Sequence, residues 1–339
     1  MKAIVVSEPG PPEVLRLEQV QEPELGPGEV LVEVSVAGVN YADVGMRAGM
    51  MGGPHAVDLP FTPGFEVAGT VAGVGEGVEG FSAGEWVAAV LPSGGYAEYA
   101  VAAAESVVAL PNGVPFTDAG ALAGALLVQG LTAYGVLHDS AHLEKGESVL
   151  VLAAGGGVGT LAVQLAKLAG AGSVIGLAGS REKLDLAVSL GADHAFDYTR
   201  EGWVEEVLRV TGQRGADVVL DSVGGATGAA AYDCLAPLGR LVTFGASSGE
   251  ALGPPDMWRL NLKGQTVSGY GGPWIRPGAA GIARDAISGY LRNGSLEVVK
   301  GGSFPLGKAS EAHRAIEERR TAGKILLTIE QDSRGEELR

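Results

Sequence analysis

The run Ser148–Val149–Leu150–Val151–Leu152–Ala153–Ala154–Gly155–Gly156–Gly157–Val158–Gly159 constrains the fold of this chain more than any other stretch. A short apolar run stops in glycines, and a helix-forming segment, 160–169, follows at once. Glycine tolerates positive φ and lets an anion approach main-chain N–H groups closely. The unpaired amides and the dipole at a helix start then favour that anion. The spacing is Ala154-x-Gly156-x-x-Gly159, with alanine in the first glycine position. It predicts a strand, a tight turn and a helix whose N-terminus holds a diphosphate. A plain strand-to-helix turn is the competing reading, because 55 glycines generate such runs by composition.

The flanking pattern decides in favour of the diphosphate turn. From residue 148 onward, apolar strands alternate with helical segments: 173–178 then 181–190, 194–198 then 203–210, 217–223 then 226–235, followed by a strand at 240–245. Such alternation predicts a parallel sheet covered on both faces. The first part of the chain reads differently. Short apolar runs at 3–6, 30–36, 66–74, 86–90 and 96–101 are separated by Pro and Gly turns, with no long helix before about residue 115. A helix at 309–318 and a last strand at 325–329 close the pattern, and that strand is expected to return to the first domain.

Composition excludes several classes. The net charge of −16 argues against nucleic acid as a partner, because phosphate binding needs clustered cations. No apolar stretch reaches membrane-spanning length without glycine or polar breaks. The start, Met1–Pro9, reads as a strand and not as a signal peptide. Cys234 is the single cysteine, so no internal disulfide and no multi-cysteine zinc site can form. A cytoplasmic protein is expected, with Cys234 a buried packing thiol.

The end of the second strand of the parallel sheet tells which dinucleotide. An acid there usually binds the ribose 2′-hydroxyl of NAD. Here Ala178 and Gly179 end the strand, and Ser180, Arg181 and Lys183 follow, a hydroxyl and two cations where a 2′-phosphate would lie. NADPH is therefore expected, with Glu182 the competing clue for NAD.

Ordered motifs run over nearly the whole chain: Ala37–Gly38–Val39–Asn40–Tyr41–Ala42–Asp43, Pro63–Gly64–Phe65–Glu66, Gly130–Leu131–Thr132–Ala133–Tyr134, the glycine turn, Gly191–Ala192–Asp193, Asp221–Ser222–Val223–Gly224–Gly225, and Phe244–Gly245–Ala246–Ser247. By these the chain resembles the zinc-independent branch of the medium-chain dehydrogenase/reductase superfamily, the NADPH:quinone oxidoreductase (zeta-crystallin-like) group. The resemblance implies an α/β fold: a GroES-like β-rich catalytic domain from residues 1–124 and 296–339, and a Rossmann NADPH-binding domain from 125–295. Cofactor and substrate would meet in the cleft between them. Asn40 and Thr132 match positions at the nicotinamide end; Ala154, Gly156, Gly157, Val158 and Gly159 match the diphosphate turn. Ser180, Arg181, Lys183 and Tyr198 match the adenosine and 2′-phosphate end. Ser222, Phe244 and Ser247 fall at strand ends lining the cofactor, and Lys324, or Arg319, would reach it from the catalytic domain. The resemblance also implies a homodimer through the strand Thr266–Tyr270.

Zinc-dependent relatives carry a cysteine near Asn40 and a Gly-His-Glu where this chain has Gly64–Phe65–Glu66. Two of the family's ligands are gone, so no metal is expected, and Glu66 is expected to hydrogen-bond within the fold. His138 and His142 lie in a linking segment rather than on a ligand face. His55, His194 and His313 stand alone in the sequence, without a nucleophile to make a triad.

Without a Lewis acid to polarise an alcohol, the chemistry left is hydride transfer from NADPH to an acceptor already electrophilic: a quinone, or an enone or enal. Tyr41 could act as acid or as wall, with solvent the alternative proton source. Met51 and Gly45 stand where relatives carry a tyrosine. Met46 and Met51 on one side, and Tyr270 and Trp274 on the other, are expected to line a flat acceptor; Trp258 is expected in the core. An enoyl-thioester reductase and a non-catalytic NADPH-binding protein are the competing readings.

Overall fold

The computed structural model describes residues 1–50, 58–110, 118, 122–123, 126–272 and 278–330. The chain divides into two compact units, Met1–Val128 with Lys300–Arg339, and Gln129–Val299.

The first unit is built on β1 (Lys2–Val5), β2 (Arg16–Gln19), β3 (Glu29–Val39), β4 (Glu66–Val74), β5 (Trp86–Val90), β6 (Tyr99–Ala103) and β7 (Val107–Ala109), with β14 (Lys300–Pro305) and β15 (Lys324–Thr328) from the far end of the chain. β1 and β2 pair as a two-stranded sheet, and the others form a seven-stranded sheet ordered β14-β15-β3-β4-β5-β7, with β6 also on β3. The alternation of β3 drives this. Val30, Val32, Val34 and Val36 are all fully buried, whereas the residues between them are half-buried. Val30, Val32 and Val34 pack with Val67, Val71, Val87, Ala89, Ile325 and Leu327 into one core. β15 returns to this unit as expected and runs antiparallel to β3, with Ile325 opposite Val39 and Leu326 opposite Gly38. A short helix, α1 (Tyr41–Arg47), interrupts the strand-rich pattern directly after β3. The β-rich reading missed it because its apolar positions are too few to show a helical period.

The second unit holds α2 (Val128–Gly135), β8 (Ser148–Val151), α3 (Gly157–Leu168), β9 (Ser173–Ala178), α4 (Arg181–Ser189), β10 (His194–Asp197), α5 (Trp203–Val210), β11 (Ala216–Asp221), α6 (Gly225–Asp233), β12 (Leu235–Thr243), α7 (Met257–Lys263), β13 (Thr266–Gly269) and α8 (Ala279–Arg292). Its six strands are ordered β10-β9-β8-β11-β12-β13, and every neighbouring pair is parallel. Successive connections leave β8 first toward β9 and later toward β11. The switch point therefore lies at the C-terminal end of β8, where open α/β sheets bind ligands. β12 starts at Leu235, five residues earlier than its apolar run predicts, and the preceding helix stops at Asp233. Trp258 departs from expectation: it lies on α7 and is 68% exposed, not in the core. A further helix, α9 (Ala309–Glu317), joins α1 in the first unit. Among the described residues no helix is long and apolar enough to cross a membrane.

Candidate functional site

The glycine run forms the turn that the sequence predicts. Ala154 N–H donates to the Leu177 carbonyl at 2.8 Å, and Gly156 N–H closes back on the Ala153 carbonyl at 2.8 Å. Ala153 takes φ +51°, a left-handed conformation that a non-glycine residue adopts at a cost. Gly156 is the N-cap of α3, and no side chain caps it. Gly157, Val158 and Gly159 form the first turn of the twelve-residue α3, so the N-cap itself offers no side-chain acceptor to the amides of the helix start. The turn is tight enough to require glycine. A methyl at Gly159 would sit 2.8 Å from Ala154 Cα and overlap the Ala153 carbonyl, and a methyl at Gly157 would overlap the Gln129 carboxamide. Gln129, on α2, is thus a neighbour of the turn that the motif alone did not reveal. Thr132 is half-buried one turn further along α2.

The ends of β8, β9 and β10 converge beside this turn. The Lys183 stem covers Gly155, whose added methyl would meet Lys183 Cβ at 2.7 Å. Ser180 caps α4 by accepting the Lys183 N–H at 3.4 Å. Tyr198 closes the other side: a methyl at Gly179 would lie 3.2 Å from the Tyr198 hydroxyl. Arg181 is separate from this group. Its side chain is 86% exposed and its Nε donates to Asp185 at 3.0 Å, one turn on.

On the other side of the switch point, the segments after β11 and β12 are joined. Phe244 N–H donates to the Asp221 carbonyl at 2.9 Å and Ser247 N–H to the Ser222 carbonyl at 3.1 Å. Asp221, fully buried, accepts the N–H groups of Val223 (2.8 Å) and Gly224 (2.9 Å). Burial pushes its carboxyl above the ordinary range despite these donors. It is a second residue whose part the motif did not reveal. Tyr270, expected to line an acceptor, is 8% exposed; its hydroxyl lies 3.4 Å from the Leu131 carbonyl and its ring fills the space at Gly135.

In the first unit, Asn40 ends β3 and begins α1. Its N–H donates to Asp43 Oδ2 at 2.8 Å, and its Nδ2 donates to Glu66 Oε1 at 3.0 Å. Lys324 Nζ donates to Asn40 Oδ1 at 3.1 Å and is ion-paired with Glu66. Lys324 and Glu66 are each only 1% exposed. The ammonium of Lys324 is therefore committed to Glu66 and Asn40. Asp43 also accepts the Gly64 N–H at 3.1 Å, and burial pushes its carboxyl up to about 7. Tyr41 is half-buried, and burial together with Glu317 raises its phenol. Met46 is 6% exposed on α1. Met51 and Trp274 lie outside the described residues.

His313, alone in the sequence, is not alone in the fold: its Nε2 lies 3.1 Å from the Tyr96 hydroxyl. Cys234 is buried, and burial pushes its thiol up to about 12, so it stays protonated and unreactive.

The described residues around Asn40 do not fit a metal. Asn40 and Glu66 both face the Lys324 ammonium, Phe65 offers no ligand atom, and the described residues contain no cluster of three His, Cys, Asp or Glu that could hold an ion. The uncapped glycine turn, with Lys183, Ser180 and Tyr198 beside it, does fit a dinucleotide phosphate.

Comparison with known proteins agrees with both units. Residues 26–112 match the family model of the alcohol dehydrogenase GroES-like domain, and residues 157–275 match that described as zinc-binding dehydrogenase. A quinone oxidoreductase of Pseudomonas aeruginosa is 37% identical over 322 residues, covering 94% of this chain and 96% of that protein. A 2-haloacrylate reductase from a Burkholderia species is 33% identical, covering 96% of this chain and 98% of its own. The structure of Escherichia coli quinone oxidoreductase in complex with NADPH superposes with a TM-score of 0.88 at 31% identity, covering 97% of this chain and all of that one.

Proposed function

The chain belongs to the quinone oxidoreductase branch of the medium-chain dehydrogenase/reductase superfamily, and on that premise we propose that it transfers hydride from NADPH to a quinone or to the β-carbon of an α,β-unsaturated carbonyl. The observation that carries this is the uncapped glycine turn at the sheet's switch point, with a lysine, a serine and a tyrosine gathered at the neighbouring strand ends. NADPH supplies the hydride; the protein's part is to bind and orient.

We assign Gly156, Gly157, Val158 and Gly159 to the diphosphate, with Ala154 setting the turn. Lys183, Ser180 and Tyr198 are assigned to the 2′-phosphate and adenosine. Arg181 is the weaker candidate, because it is exposed and paired with Asp185. Ser222, Phe244 and Ser247 flank the cofactor from the ends of β11 and β12. Asn40 and Thr132 are assigned to the nicotinamide end, and Tyr41 to the wall or proton source on the acceptor side. The 2-haloacrylate reductase relative supports the unsaturated-carbonyl arm, since its named substrate is such a compound.

The test is NADPH oxidation with 1,4-benzoquinone, 9,10-phenanthrenequinone and small enones. Turnover of at least one is expected, and Asn40→Ala should lower it while NADPH still binds. Measured NADPH binding with no turnover of any acceptor would refute the proposal.

We further propose a cytoplasmic homodimer. β13 lies at the edge of its sheet, and an edge strand offers unpaired backbone groups to a second copy. A monomer mass by light scattering would refute it.

A further inference from the structure

The buried pair of Lys324 and Glu66 asks for an explanation, because stability alone supplies a poor one. Taking two charges out of water offsets most of their attraction, and well-packed apolar residues of similar volume often serve as well or better. Nor is the pair needed to join the strands: β4 and β15 each pair with β3 through the backbone. Yet the chain keeps both charges, and Gly38 of β3 leaves room for them. A methyl at Gly38 would lie 2.6 Å from Lys324 Nζ and overlap Glu66 Oε1.

What the pair holds is one side chain. Continuing the β15–β3 register past Ile325 and Val39 carries Lys324 to Asn40. There the Asn40 carboxamide lies between the two charges, its oxygen accepting from the Lys324 ammonium and its nitrogen donating to the Glu66 carboxylate. A flipped amide would set N–H against ammonium and C=O against carboxylate, two repulsive contacts in a buried site. The charges therefore select one orientation of the amide, and the Asp43 carboxylate fixes the backbone beneath it through the Asn40 N–H.

We propose that Lys324 is a positioning residue which, with Glu66, locks the Asn40 carboxamide in a single orientation for the reaction. This rests on the assignment of Asn40 to the nicotinamide end. It gives the last strand a part in the chemistry without requiring Lys324 to touch the cofactor.

The test uses Lys324→Met, the charge-balanced Lys324→Met/Glu66→Gln, and the wild-type enzyme. Asn40 is one of four asparagines, so 15N-asparagine labelling, assigned with Asn40→Ala, follows its side-chain amide directly. Wild type should show two resolved, slowly exchanging Nδ2 protons, and Lys324→Met should collapse them toward the solvent-averaged position. In the same variant kcat should fall ~10–100-fold, the cost of a misplaced contact at the reacting centre. The NADPH dissociation constant, read by fluorescence, should stay near wild type. The double variant should recover the melting temperature but neither the amide signals nor kcat, and it supplies the measurement if the single variant does not fold. Unchanged Asn40 signals in the variants, or full recovery of kcat in the double variant, would overturn the proposal. If wild type turns over no acceptor, the functional reading fails separately, and the amide signals still decide whether Lys324 orders Asn40.

Discussion

The Tyr96 hydroxyl lies 3.1 Å from Nε2 of His313, and both side chains are completely buried. His313 Nδ1 has no hydrogen-bond partner among the described residues. The arrangement favours the neutral tautomer with its proton on Nε2, which donates to the Tyr96 oxygen and leaves Nδ1 a bare lone pair. An unpaired N–H there would cost more. Tyr96 in turn reaches the Asp43 carboxyl, so Asn40, Asp43, Tyr96 and His313 form one buried polar chain. Arg47, 2% exposed and held by Glu317 at 2.7 Å, lies beside it.

Two members of this chain respond to pH in opposite senses. Burial, helped by the charge of Arg47, pushes the His313 imidazole down to about 3. Between there and its ordinary value of 6.5, only the unfolded chain binds the proton, so His313 makes stability fall as pH falls. Asp43 is raised to about 7, by burial and by Glu66, against the pull of Lys324 and its hydrogen bonds. Between its ordinary 3.8 and that value, only the native chain holds the proton, so Asp43 makes stability fall as pH rises. The slopes, about 1.4 kcal/mol per pH unit per proton, oppose each other between 3.8 and 6.5. Asp43→Asn should unmask loss of stability on acidification, and His313→Gln the reverse. Urea unfolding across that window checks both; parallel pH profiles for wild type and the two variants would contradict the coupling.

Gly38→Ala should destabilise the first unit although the strand around it is well formed. The methyl overlaps the ends of Glu66 and Lys324. Separating a buried pair leaves uncompensated charge, a loss of about 3–5 kcal/mol. Denaturant midpoints measure it, and a loss no larger than that of an ordinary surface substitution would show that the pair can shift freely.

Gly159→Ala should damage the glycine turn by a different route. Its methyl meets backbone at Ala153 and Ala154, which cannot swing aside as a side chain can. Overpacking of this kind costs about 1–3 kcal/mol, and NADPH affinity should drop with it. Fluorescence titration and calorimetry report the two effects, and normal NADPH binding by a stable Gly159→Ala protein would contradict the turn's assignment.

Lys183→Ala should lower kcat/KM for NADPH and leave NADH unaffected, because only the 2′-phosphate needs the cation. A hydrogen bond to a charged group contributes about 1.5–3 kcal/mol, or ~10–100-fold. Arg181→Ala should change the ratio little, since its guanidinium is exposed and paired with Asp185. Steady-state kinetics with both cofactors decides between them, and the reverse ranking would move the 2′-phosphate contact to Arg181.

Most of the second unit was legible from local signals. Ser173–Ala178 and Trp203–Val210 fall where the apolar pattern puts them, because continuous apolar runs and amphipathic helices carry their period in adjacent residues. α1 was not legible, being seven residues long. Trp258 misled because a large aromatic residue next to Met257 and shortly before Leu260 and Leu262 reads as core, while α7 leaves it outward.

The candidate sites divide in the same way. The glycine turn, the non-acidic end of β9 and the presence of Asn and Phe at positions 40 and 65 are properties of contiguous residues, and the sequence by itself determined them. The pairing of Lys324 with Glu66 and Asn40, of Tyr96 with His313, and the contact of Gln129 with Gly157 were decided only by the tertiary structure. Lys324 and Asn40 are 284 positions apart, and no local pattern connects them. They meet because the last strand adds to β3 in one antiparallel register, which only the shared apolar core of that sheet specifies.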